Sequence, residues 1–483
     1  MPEKPGRIFD RDQDWQGLTA YIRNDQPEPT LGVVSGRRRQ GKTYLLTALT
    51  EVTGGFYFEA DEATEAESLR LFGAALGSFS GSPVRFTAWD DALAYFFSLA
   101  DGRPLPLVID EFPLLTKASP ALPSILARQL DAQWSGRARP HPARVLLCGS
   151  AMSVMGRLLS GEAPLRGRAG LEMIIRPLGY RDAAAFWGVT DHRLALLLHA
   201  IVGGTPAYRR QFVRNDAPNG LGDFDSWVCR NVLNPQVPLF REARYLLAEE
   251  VGARDPGLYQ SVLGAIASGN TTNGAIASYI GRKSAEIAHP LNVLEDSHLI
   301  ARQPDLFRRG RSTYRITEPL ITFYQAVMRP RWAELDLGGA ERVWRDSRNR
   351  FGSQVMGPHF EQICREWVLT ADVFGESAGE VGPVTVPDPG RKSQIEIDVA
   401  VLSPAWPGEP RRVLSLGEAK WDKVMGRRQL SRLARARDLL ADRGFDTSAA
   451  VLACYSGAGF DPDLVAAAAS ENLLLVDARR LYG

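Results

Sequence analysis

The chain has 483 residues, more than a single hydrophobic core usually supports, so roughly three or four domains are expected. Its 45% hydrophobic and 23% charged residues are typical of an ordinary soluble globular protein, and a formal charge of +1 decides nothing about nucleic acid, because a balanced total hides local basic patches. The chain opens without a secretion signal, contains no apolar run of bilayer length and has no C-x-x-C pair among its four cysteines, so we expect a cytoplasmic protein without membrane contact, zinc site or disulfide framework.

The first motif with chemistry is a phosphate-binding loop. LGVVSGRRRQGKTYLLTAL places a short apolar strand before Gly36-x-x-x-x-Gly41-Lys42-Thr43 and a leucine-rich helical pattern after it. In such a loop, backbone N–H groups surround phosphate oxygens, Lys42 neutralises β- and γ-phosphate charge, and the Thr43 hydroxyl ligates Mg²⁺. The alternative is a chance glycine-rich turn. The residues expected to contact ATP are Gly36, Arg37, Arg38, Arg39, Gln40, Gly41, Lys42, Thr43 and Tyr44.

Two further predicted strands end in polar residues. LPLVIDEF is an apolar strand that ends in Asp110 and Glu111, and ARVLLCGS ends at Ser150. In a P-loop fold the first carboxylate binds Mg²⁺ and the second polarises the attacking water. Ser150 is then either a sensor of nucleotide state near the γ-phosphate or a simple helix N-cap.

Two arginines follow in the segment APLRGRAG. A guanidinium at Arg166 or Arg168 can stabilise charge on a transferring phosphoryl group, either within the chain or across a boundary between copies of the chain. The alternative is a surface loop with two solvated arginines. The sequence therefore leaves a homo-oligomer open.

These segments together resemble one family. GRRRQGKT, VIDEF, CGS, PLRGR and the later GGTPAY look like the archaeal-type ATPases within the AAA+/STAND assemblage, over about the first half of the chain. The resemblance implies an ATPase core over 1–178 and a helical lid and connector over 179–254, in which Pro206 touches the nucleotide. As sequence alone, Gly-Gly-x-Pro is a helix breaker and turn.

The opening segment extends the resemblance. IFDRDQDWQGL is similar to the family's F-x-x-R-x-x-E-x-x-x-L segment, which lies near the adenine, and this implies an adenine contact at Arg11. Asp10 and Asp14 stand where the family has glycine and glutamate.

A change of pattern predicts a winged helix-turn-helix over 255–330. PGLYQSVLGAIASG, TTNGAIASYIG and SAEIAHPLNVLEDSHLI are three short helical patterns, and two strand-like segments joined by a basic loop follow them. Such a module places its third helix in the DNA major groove and its wing arginines, here Arg308, Arg309 and Arg311, on phosphates. Because the third helix carries several acids and few bases, a structural or protein-docking role is equally open.

The last segment, 331–483, alternates helices and strands. We predict helices at GPHFEQICREWVL and RRQLSRLARARDLL, and strands at SQIEIDVAVL, VLSLGEAK, SAAVLACYS and NLLLVDA. We expect Asp398 to end the first of these strands, and Glu418 and Lys420 to share one face of the next because strand side chains alternate. This convergence suits metal-assisted phosphodiester hydrolysis, with Asp398 and Glu418 as Mg²⁺ ligands and Lys420 orienting water or stabilising the transition state.

Neighbouring groups extend this predicted site. The Ala419 carbonyl is a further possible metal ligand, Glu361 on the preceding helix adds a fourth polar group, and Gln429 on the following helix can hold water or phosphate. The same helix either lines a phosphate-binding surface or is an exposed amphipathic helix. Its arginines are Arg427, Arg428, Arg432, Arg435 and Arg437.

The set Glu361, Asp398, Glu418 and Lys420 carries a second resemblance. Its pattern E…D…E-x-K resembles the PD-(D/E)-x-K nuclease fold, and its place after an archaeal-type ATPase and a winged helix resembles the DUF234 architecture, over about the last third of the chain. The resemblance implies a restriction-endonuclease-like α/β domain that acts on DNA. The alternative is a salt bridge between alternating charges on an edge strand.

The expected fold class is therefore an α/β multidomain chain with a P-loop AAA+-like core, a helical lid, a winged helix-turn-helix and a restriction-endonuclease-like domain. The expected function is ATP hydrolysis with Mg²⁺, coupled through lid closure to DNA binding and Mg²⁺-dependent DNA cleavage. A rival interpretation is an ATP-switched regulatory or signalling scaffold whose nuclease-like domain is silent. A third is a resolvase-like enzyme that needs no ATP.

Overall fold

The computed structural model describes residues 2–137, 141–251, 255–308, 310–407, 411–469 and 472–483. They divide into an N-terminal unit (Met1–Pro177) and a C-terminal unit (Leu178–Gly483). Arg309, one of the predicted wing arginines, lies outside the described residues. No helix in the described part of the chain has the length and apolar character needed to cross a membrane.

The N-terminal unit alternates strands and helices. Its strands are β1 (Thr30–Ser35), β2 (Phe56–Glu59), β3 (Leu105–Asp110), β4 (Ala143–Gly149) and β5 (Ala169–Ile174). Its helices are α1 (Asp12–Ile22), α2 (Lys42–Thr53), α3 (Glu65–Ser80), α4 (Trp89–Ser98), α5 (Phe112–Ala118), α6 (Leu122–Trp134) and α7 (Met152–Leu158).

The five strands form one parallel sheet in the order β2-β3-β4-β1-β5. Every residue of β3 and β4 is buried, as expected for parallel strands covered on both faces. Val33 of β1 belongs to one core cluster and Val34 to the other, so the sheet has a hydrophobic core on each face. Because β3, β4 and β1 are neighbours and run parallel, their carboxyl ends meet at one edge of the sheet.

The C-terminal unit is mainly helical before its own sheet begins. Its strands are β6 (Ile300–Pro304), β7 (Ser312–Ile316), β8 (Glu380–Asp388), β9 (Ser393–Leu402), β10 (Val413–Lys420), β11 (Val451–Ser456) and β12 (Leu473–Asp477). Its α-helices are α8 (Tyr180–Trp187), α9 (His192–Val202), α10 (Phe224–Trp227), α11 (Leu239–Val251), α12 (Pro256–Ala267), α13 (Asn273–Ile280), α14 (Ser284–Asp296), α15 (Pro319–Phe323), α16 (Trp332–Asp336), α17 (Ala340–Arg350), α18 (Gly357–Thr370), α19 (Arg427–Ala441), α20 (Pro462–Ala468) and α21 (Ala478–Tyr482).

Short segments of other helix types interrupt the helices of this unit. The π-helical segments are Tyr208–Phe212, Val228–Val232, Tyr324–Met328 and Phe351–Met356, and the 3₁₀ segments are Leu221–Asp223, Arg329–Arg331 and Pro389–Arg391. Three of the π segments directly continue an α-helix, so each marks a local change of helical winding rather than a separate element.

The C-terminal sheet has the order β12-β11-β10-β9-β8. β10, β11 and β12 are parallel, whereas β9 runs antiparallel to both β10 and β8. β6 and β7 form a separate antiparallel hairpin. One core cluster contains Trp187, Leu263 and Phe360, which lie in the three segments that the sequence analysis assigned to three domains. Those domain boundaries stay a prediction, because this core is shared.

Helix α9 contacts the residues that follow β10 and β11 of the C-terminal sheet. The Arg193 guanidinium lies 4.3 Å from the centre of the Trp421 ring, which is a cation–π contact. Arg193 also donates hydrogen bonds to the Gly457 carbonyl at 2.6 Å and to an Asp422 carboxylate oxygen at 2.8 Å. Arg193 therefore ties α9 to the residues that follow Lys420.

A half-buried histidine pair joins α9 to α18. Nδ1 of His199 lies 2.9 Å from Nε2 of His359. Burial lowers the pKa of His199 from its usual 6.5 to about 4. Burial, followed by the nearby His199 and Arg315, lowers the pKa of His359 well below its usual value. Both imidazoles are therefore neutral at neutral pH, with one ring donating and the other accepting.

Acid is expected to destabilise the C-terminal unit through this pair. A folded pKa of about 4 against 6.5 unfolded gives a stabilisation that is complete above pH 6.5 and is lost as the pH falls from 6.5 towards 4. For His199 this corresponds to on the order of 3 kcal/mol. Thermal unfolding followed by tryptophan fluorescence measures this effect. Between about pH 7 and pH 5, the Tm of the double variant His199→Gln, His359→Gln should fall much less than the Tm of the parent chain. The exposed control His289→Gln should keep it, and an unchanged pH dependence in the double variant would contradict this account.

Candidate functional site

The phosphate loop lies between β1 and α2, at the edge where the strands of the N-terminal sheet end. Gly36 has φ 152°, and a Cβ there would lie 2.5 Å from the Ile175 carbonyl oxygen, so no side chain fits. Lys42 begins α2 and is 5% exposed. Its Nζ donates to the carbonyls of Gly36 at 2.7 Å and Arg37 at 3.1 Å. A buried ammonium requires acceptors, and phosphate oxygens are stronger acceptors than these carbonyls.

Asp110 joins the end of β3 to the phosphate loop. The carboxylate is fully buried, and its Oδ2 accepts from the Thr43 hydroxyl at 2.8 Å and the Tyr57 hydroxyl at 2.7 Å. Its Oδ1 accepts from the Glu111 N–H at 2.8 Å. Burial, followed by the charge of Asp110, raises the pKa of Tyr57, so the phenol stays protonated as a donor. Tyr57 was not predicted as a site residue, and the short aromatic stretch FYFE was the signal for it.

Glu111 and Ser150 meet at the same edge. Glu111 has φ 49°, a left-handed conformation that costs about 1 kcal/mol or more in a non-glycine residue. The Ser150 hydroxyl lies 3.1 Å from Oε2 and 3.2 Å from Oε1 of Glu111. The helix that follows, α7, is capped by Ala151 without a side-chain bond, so the N-cap alternative for Ser150 is not observed. The structure thus brings together Thr43, Asp110, Glu111 and Ser150.

The opening segment reaches the phosphate loop through Arg11. This arginine has φ 70°, and its Nη2 donates to the Gln40 carbonyl at 3.1 Å. Its Nη1 lies 3.3 Å from Oδ2 of Asp14. Burial raises the pKa of Asp14, and the charge of Arg11 opposes that rise. Arg11 therefore holds α1 against the loop, and its contact with adenine stays a prediction.

The two arginines of APLRGRAG have other partners. Arg168 forms a two-pronged pair with Asp131 of α6, with N–O distances of 2.9 and 2.8 Å. Hydrogen bonds from Arg168 lower the pKa of Asp131, as expected for such a pair. Arg166 donates to the Gly161 carbonyl at 2.6 Å. Neither contact involves the phosphate loop, so a catalytic role for either arginine stays a prediction.

Pro206 lies in the C-terminal unit, after a Gly203–Gly204 turn that ends α9. The predicted helix breaker is therefore confirmed. A Cβ at Gly204 would lie 1.9 Å from the Leu178 carbonyl oxygen, so this position requires glycine. The contact of Pro206 with a nucleotide stays a prediction.

In the C-terminal sheet, Lys420 brings two carboxylates together. Its Nζ lies 3.1 Å from Oδ2 of Asp398 and 3.5 Å from Oε1 of Glu418. Oδ2 of Asp398 also accepts the Ala419 N–H at 2.9 Å. Burial lowers the pKa of Lys420, but the charges of Asp398 and Glu418 more than offset this, and the net pKa is raised. Lys420 therefore carries a positive charge between the two acids.

Asp398 lies inside β9, not at its end as predicted, and a β-bulge explains its position. The register between β8 and β9 shifts between the pairs Gly382–Ala400 and Val384–Ile397, so Asp398 and Val399 together face a single residue, Pro383. Proline has no N–H to offer them. The Asp398 carbonyl accepts instead from Nη1 of Arg365 at 2.7 Å. The bulge lies where the β9–β10 register ends, and it directs the Asp398 carboxylate towards β10.

Glu361 and Arg365, both on α18, border this site. Arg365 is 6% exposed, and its Nη1 lies 3.8 Å from Oε2 of Glu361. Burial, followed by the charge of Asp398, raises the pKa of Glu361 to about 7. The nearby Arg365 and Lys420 oppose that rise. The charges of Asp398 and Lys420 thus act on Glu361, whose direct part in the site stays a prediction. Arg365 is a buried residue at this site that was not predicted from the sequence.

Glu418 is the most buried of the site carboxylates. It is 2% exposed, and its Oε1 accepts from Nη1 of Arg432 at 3.1 Å. Its Oε2 is buried without a hydrogen-bond partner among the described residues. A buried carboxylate oxygen without a donor is costly, and a cation would satisfy it. The donor set therefore fits a hard divalent ion.

The number of acidic ligands is nevertheless small. Within the described ranges, no three or more His, Cys, Asp or Glu side chains are grouped so as to hold a metal ion. A cation at this site would therefore depend on two carboxylates completed by main-chain or water oxygens, which is usual for Mg²⁺. At the phosphate loop, Thr43 and Asp110 likewise supply a hydroxyl and a carboxylate, and this pair fits Mg²⁺ carried by a nucleotide.

Several polar side chains of α19 form hydrogen bonds or ion pairs with other residues of this chain. Gln429 accepts the Gly426 N–H at 3.0 Å, so its side-chain oxygen caps its own helix, and its contact with water or phosphate stays a prediction. Arg432 reaches Glu418, and Arg435 forms a two-pronged pair with Asp388 at 2.9 and 3.2 Å. Arg428 is exposed. The basic helix is thus partly structural.

The predicted three helices and two strands of the winged-helix segment are α12, α13, α14, β6 and β7. The turn of the hairpin packs on the C-terminal sheet domain, where the rings of Phe307 and Phe445 are 4.9 Å apart and Leu306 contacts the core. Arg311 is exposed. The tip of the hairpin therefore packs on the C-terminal sheet, and its apolar residues Leu306 and Phe307 contact protein.

Known proteins resemble this chain at low identity. The uncharacterized protein MJECL04 of Methanocaldococcus jannaschii is 25% identical over 368 residues, which cover 75% of this chain and 77% of that protein. The structure of the Walker-type ATPase PABY2304 of Pyrococcus abyssi matches with a TM-score of 0.52 and 18% identity, over 67% of this chain and 97% of that one. The structure of the ORC2 protein of Aeropyrum pernix matches with a TM-score of 0.42 and 13% identity, over 72% of this chain and 97% of that one. No family model matches the chain. The chain therefore shares the α/β fold of the Pyrococcus protein.

Proposed function

We propose that this chain is a P-loop ATPase of the AAA+ kind, which binds ATP with Mg²⁺ and hydrolyses it. The observation that carries the proposal is the 2.8 Å hydrogen bond between Thr43 and Asp110, which joins the phosphate loop to the end of a separate strand. A buried lysine at the head of the same helix and a fold shared with a protein named as a Walker-type ATPase support it.

Each residue has a role in this proposal. Lys42 binds phosphate oxygens, and Thr43 and Asp110 hold Mg²⁺, which supplies charge neutralisation on the phosphates when bound. The water oxygen forms a bond to the γ-phosphorus, the bond to the β–γ bridging oxygen breaks, and ADP leaves with the electron pair. Glu111 accepts the proton of that water, and Ser150 holds the Glu111 carboxylate in position.

Replacing the loop lysine tests nucleotide binding. Lys42→Ala is expected to weaken ATP binding by about 10- to 100-fold, because it removes a charge-assisted hydrogen-bond donor. The measurement is a titration with a fluorescent ATP analogue in the presence of Mg²⁺. Lys117→Ala, which removes an exposed lysine paired with Glu62, is the matched control and should bind normally. Equal affinity of Lys42→Ala and the parent chain would reject the proposed site.

We propose as a second function that the C-terminal unit hydrolyses phosphodiester bonds of DNA with Mg²⁺. The observation that favours it is the convergence of Asp398, Glu418 and Lys420, with the partnerless Oε2 of Glu418 among them. In this proposal the two carboxylates and the Ala419 carbonyl hold the ion, which lends positive charge to the phosphate when bound. Lys420 orients water, and Glu361 is a half-buried acid beside it.

DNA is the proposed polymer because the helix beside this site is basic. Arg432 reaches from α19 to Glu418, and Arg428, about one turn earlier on the same helix, is exposed. Such side chains bind a phosphate backbone without reading sequence. The outer face of α14 carries Glu286 and other acids, so a winged-helix role of α12–α14 in groove reading is the less favoured part of the proposal.

A further inference from the structure

A buried arginine of α18 reaches the backbone of the candidate cleavage site. Arg365 is 6% exposed, and its Nη1 donates to the Asp398 carbonyl at 2.7 Å. The carboxylate of the same Asp398 accepts the Ala419 N–H at 2.9 Å and the Lys420 ammonium at 3.1 Å. Arg365 therefore binds the main chain of the residue whose side chain is proposed to hold the metal ion.

The Asp398 carbonyl takes its donor from outside the sheet. The β8–β9 register places Asp398 and Val399 opposite Pro383, which has no N–H. On the other side of β9, the ladder with β10 ends at the pair Val399–Gly417, one residue before Asp398 is reached. Because Arg365 is buried, the carbonyl that it binds is screened from water, and without a donor it would carry the cost of an unpaired polar group. The guanidinium therefore stabilises the bulge in this conformation.

Polar side chains of α18 and β6 fix the guanidinium itself. Nε of Arg365 donates to Oε1 of Gln362 at 3.3 Å, and the same oxygen accepts from Nε2 of Gln303 on β6 at 3.4 Å. Nε2 of Gln362 donates to Oε1 of Glu366 at 2.9 Å. Nη1 of Arg365 lies 3.8 Å from Oε2 of Glu361. The direction of the Arg365 side chain is thus set by neighbours on its own helix, one of which is held by the β6–β7 hairpin.

Charge alone would give Arg365 the opposite effect on a metal ion. A guanidinium near a cation site repels the cation, so its removal should strengthen ion binding if charge decides the outcome. A group that holds a metal ligand in place has the reverse effect, because residues behind the ligands raise the affinity for the ion. The 2.7 Å hydrogen bond of Arg365 ends on the Asp398 backbone, which matches the second case. The sign of the change in ion affinity therefore distinguishes the two roles.

We propose that Arg365 is a positioning residue for the Asp398 carboxylate. Its hydrogen bond to the Asp398 carbonyl holds the bulge of β9, and the bulge directs the carboxylate towards Ala419 and Lys420. The inference rests on the proposed Mg²⁺-dependent cleavage of DNA by the C-terminal unit. It adds to that function a residue that acts through the main chain of a proposed metal ligand.

The affinity for Mn²⁺, measured by calorimetric titration without nucleotide, tests this role. Arg365→Met, which keeps a long apolar side chain without a donor, is expected to weaken Mn²⁺ binding by about 10- to 100-fold. Arg365→Lys keeps the charge and one donor group, so its affinity should lie between those of Arg365→Met and the parent chain. In a chain that already carries Asp398→Asn, Arg365→Met should cause little further loss, because the ligand that it positions is gone.

A control separates this effect from general destabilisation. Arg230 is paired with Asp216 and Asp223 in the same unit, so Arg230→Met should lower Tm without changing Mn²⁺ affinity. Unchanged or stronger Mn²⁺ binding in Arg365→Met would overturn the inference, and so would an equal loss of affinity with and without Asp398→Asn. Should Arg365→Met fail to fold, parent-like Mn²⁺ affinity in Arg365→Lys would overturn it as well.

Failure of the proposed cleavage is a separate result. If the parent chain binds Mn²⁺ but cuts no DNA, the nuclease function fails, and the titrations still decide the role of Arg365. If the parent chain binds no Mn²⁺, hydrogen exchange of the Ala419 amide decides it, because that N–H is bonded to the Asp398 carboxylate and needs no ion. Arg365→Met should then speed exchange of this amide, as Asp398→Ala should, and parent-like exchange in Arg365→Met would reject the positioning role.

Discussion

Glu111→Gln is expected to reduce ATP turnover by on the order of 10³-fold while leaving ATP bound. Glutamine keeps the shape of the side chain and can still accept from the Ser150 hydroxyl at its amide oxygen, but it cannot take a proton from water. The phosphate loop, Thr43 and Asp110 are untouched by the change, so nucleotide affinity should hold or rise. The left-handed backbone at residue 111 is equally open to glutamine.

Single-turnover hydrolysis and nucleotide titration on the same preparation check this result. Glu65→Gln, an exposed carboxylate in the first turn of α3, is the matched control and should hydrolyse ATP at the parent rate. A Glu111→Gln chain that hydrolyses ATP within a few-fold of the parent would show that another group activates the water. Loss of ATP binding together with turnover would instead point to disturbance of the neighbouring Asp110.

The core of the N-terminal unit could be predicted because its signals are local. The strands that carry the phosphate loop, Asp110 and Ser150 are apolar runs followed by turn residues, and buried parallel strands are read in this way. The position of these residues at one edge then follows from the parallel direction of the strands. Tyr57 could not be found, since a four-residue strand carries too little pattern to place its side chain opposite Asp110.

The C-terminal sheet shows where sequence patterns fail. The predicted strands at β9, β10, β11 and β12 are present, but β8 was missed. Its sequence contains Pro383 and Pro387, which argue against a strand. The sheet order explains why prolines are tolerated in this strand. β8 is an edge strand, so only one of its sides pairs with another strand, and a residue on the other side needs no N–H donor.

The acids and the lysine of the candidate cleavage site could be predicted from the sequence. The bulge and the arginine that position them could not. Alternation along a strand places Glu418 and Lys420 on one face, and their 3.5 Å contact agrees with this. The side-chain direction of Asp398 depends on a bulge opposite Pro383, and that bulge depends on Arg365 from a distant helix. Such dependence on long-range packing leaves no periodic trace in the sequence.

Lys420→Ala is expected to lower Mg²⁺-dependent DNA cleavage by on the order of 10³-fold, the largest effect predicted for the C-terminal unit. The ammonium lies 3.1 Å from Asp398 and 3.5 Å from Glu418, so its removal deletes the positive charge proposed to orient water or stabilise the transition state. Both carboxylates remain, and without a competing ammonium they should bind a divalent cation at least as well. The variant thus separates metal binding from cleavage.

The assay is cutting of plasmid and branched DNA with Mg²⁺ or Mn²⁺, with and without ATP, alongside the thermal shift that each ion produces. Lys423→Ala, an exposed lysine three positions further along the chain, is the control and should cut like the parent. Cleavage that survives Lys420→Ala would place the activity elsewhere, and cleavage that is equal in Lys42→Ala would make it independent of ATP. A parent chain that binds DNA in an ATP-dependent way but cuts none of these substrates would favour the regulatory scaffold, because the Lys420–Asp398 contact would then be a salt bridge that only stabilises the sheet.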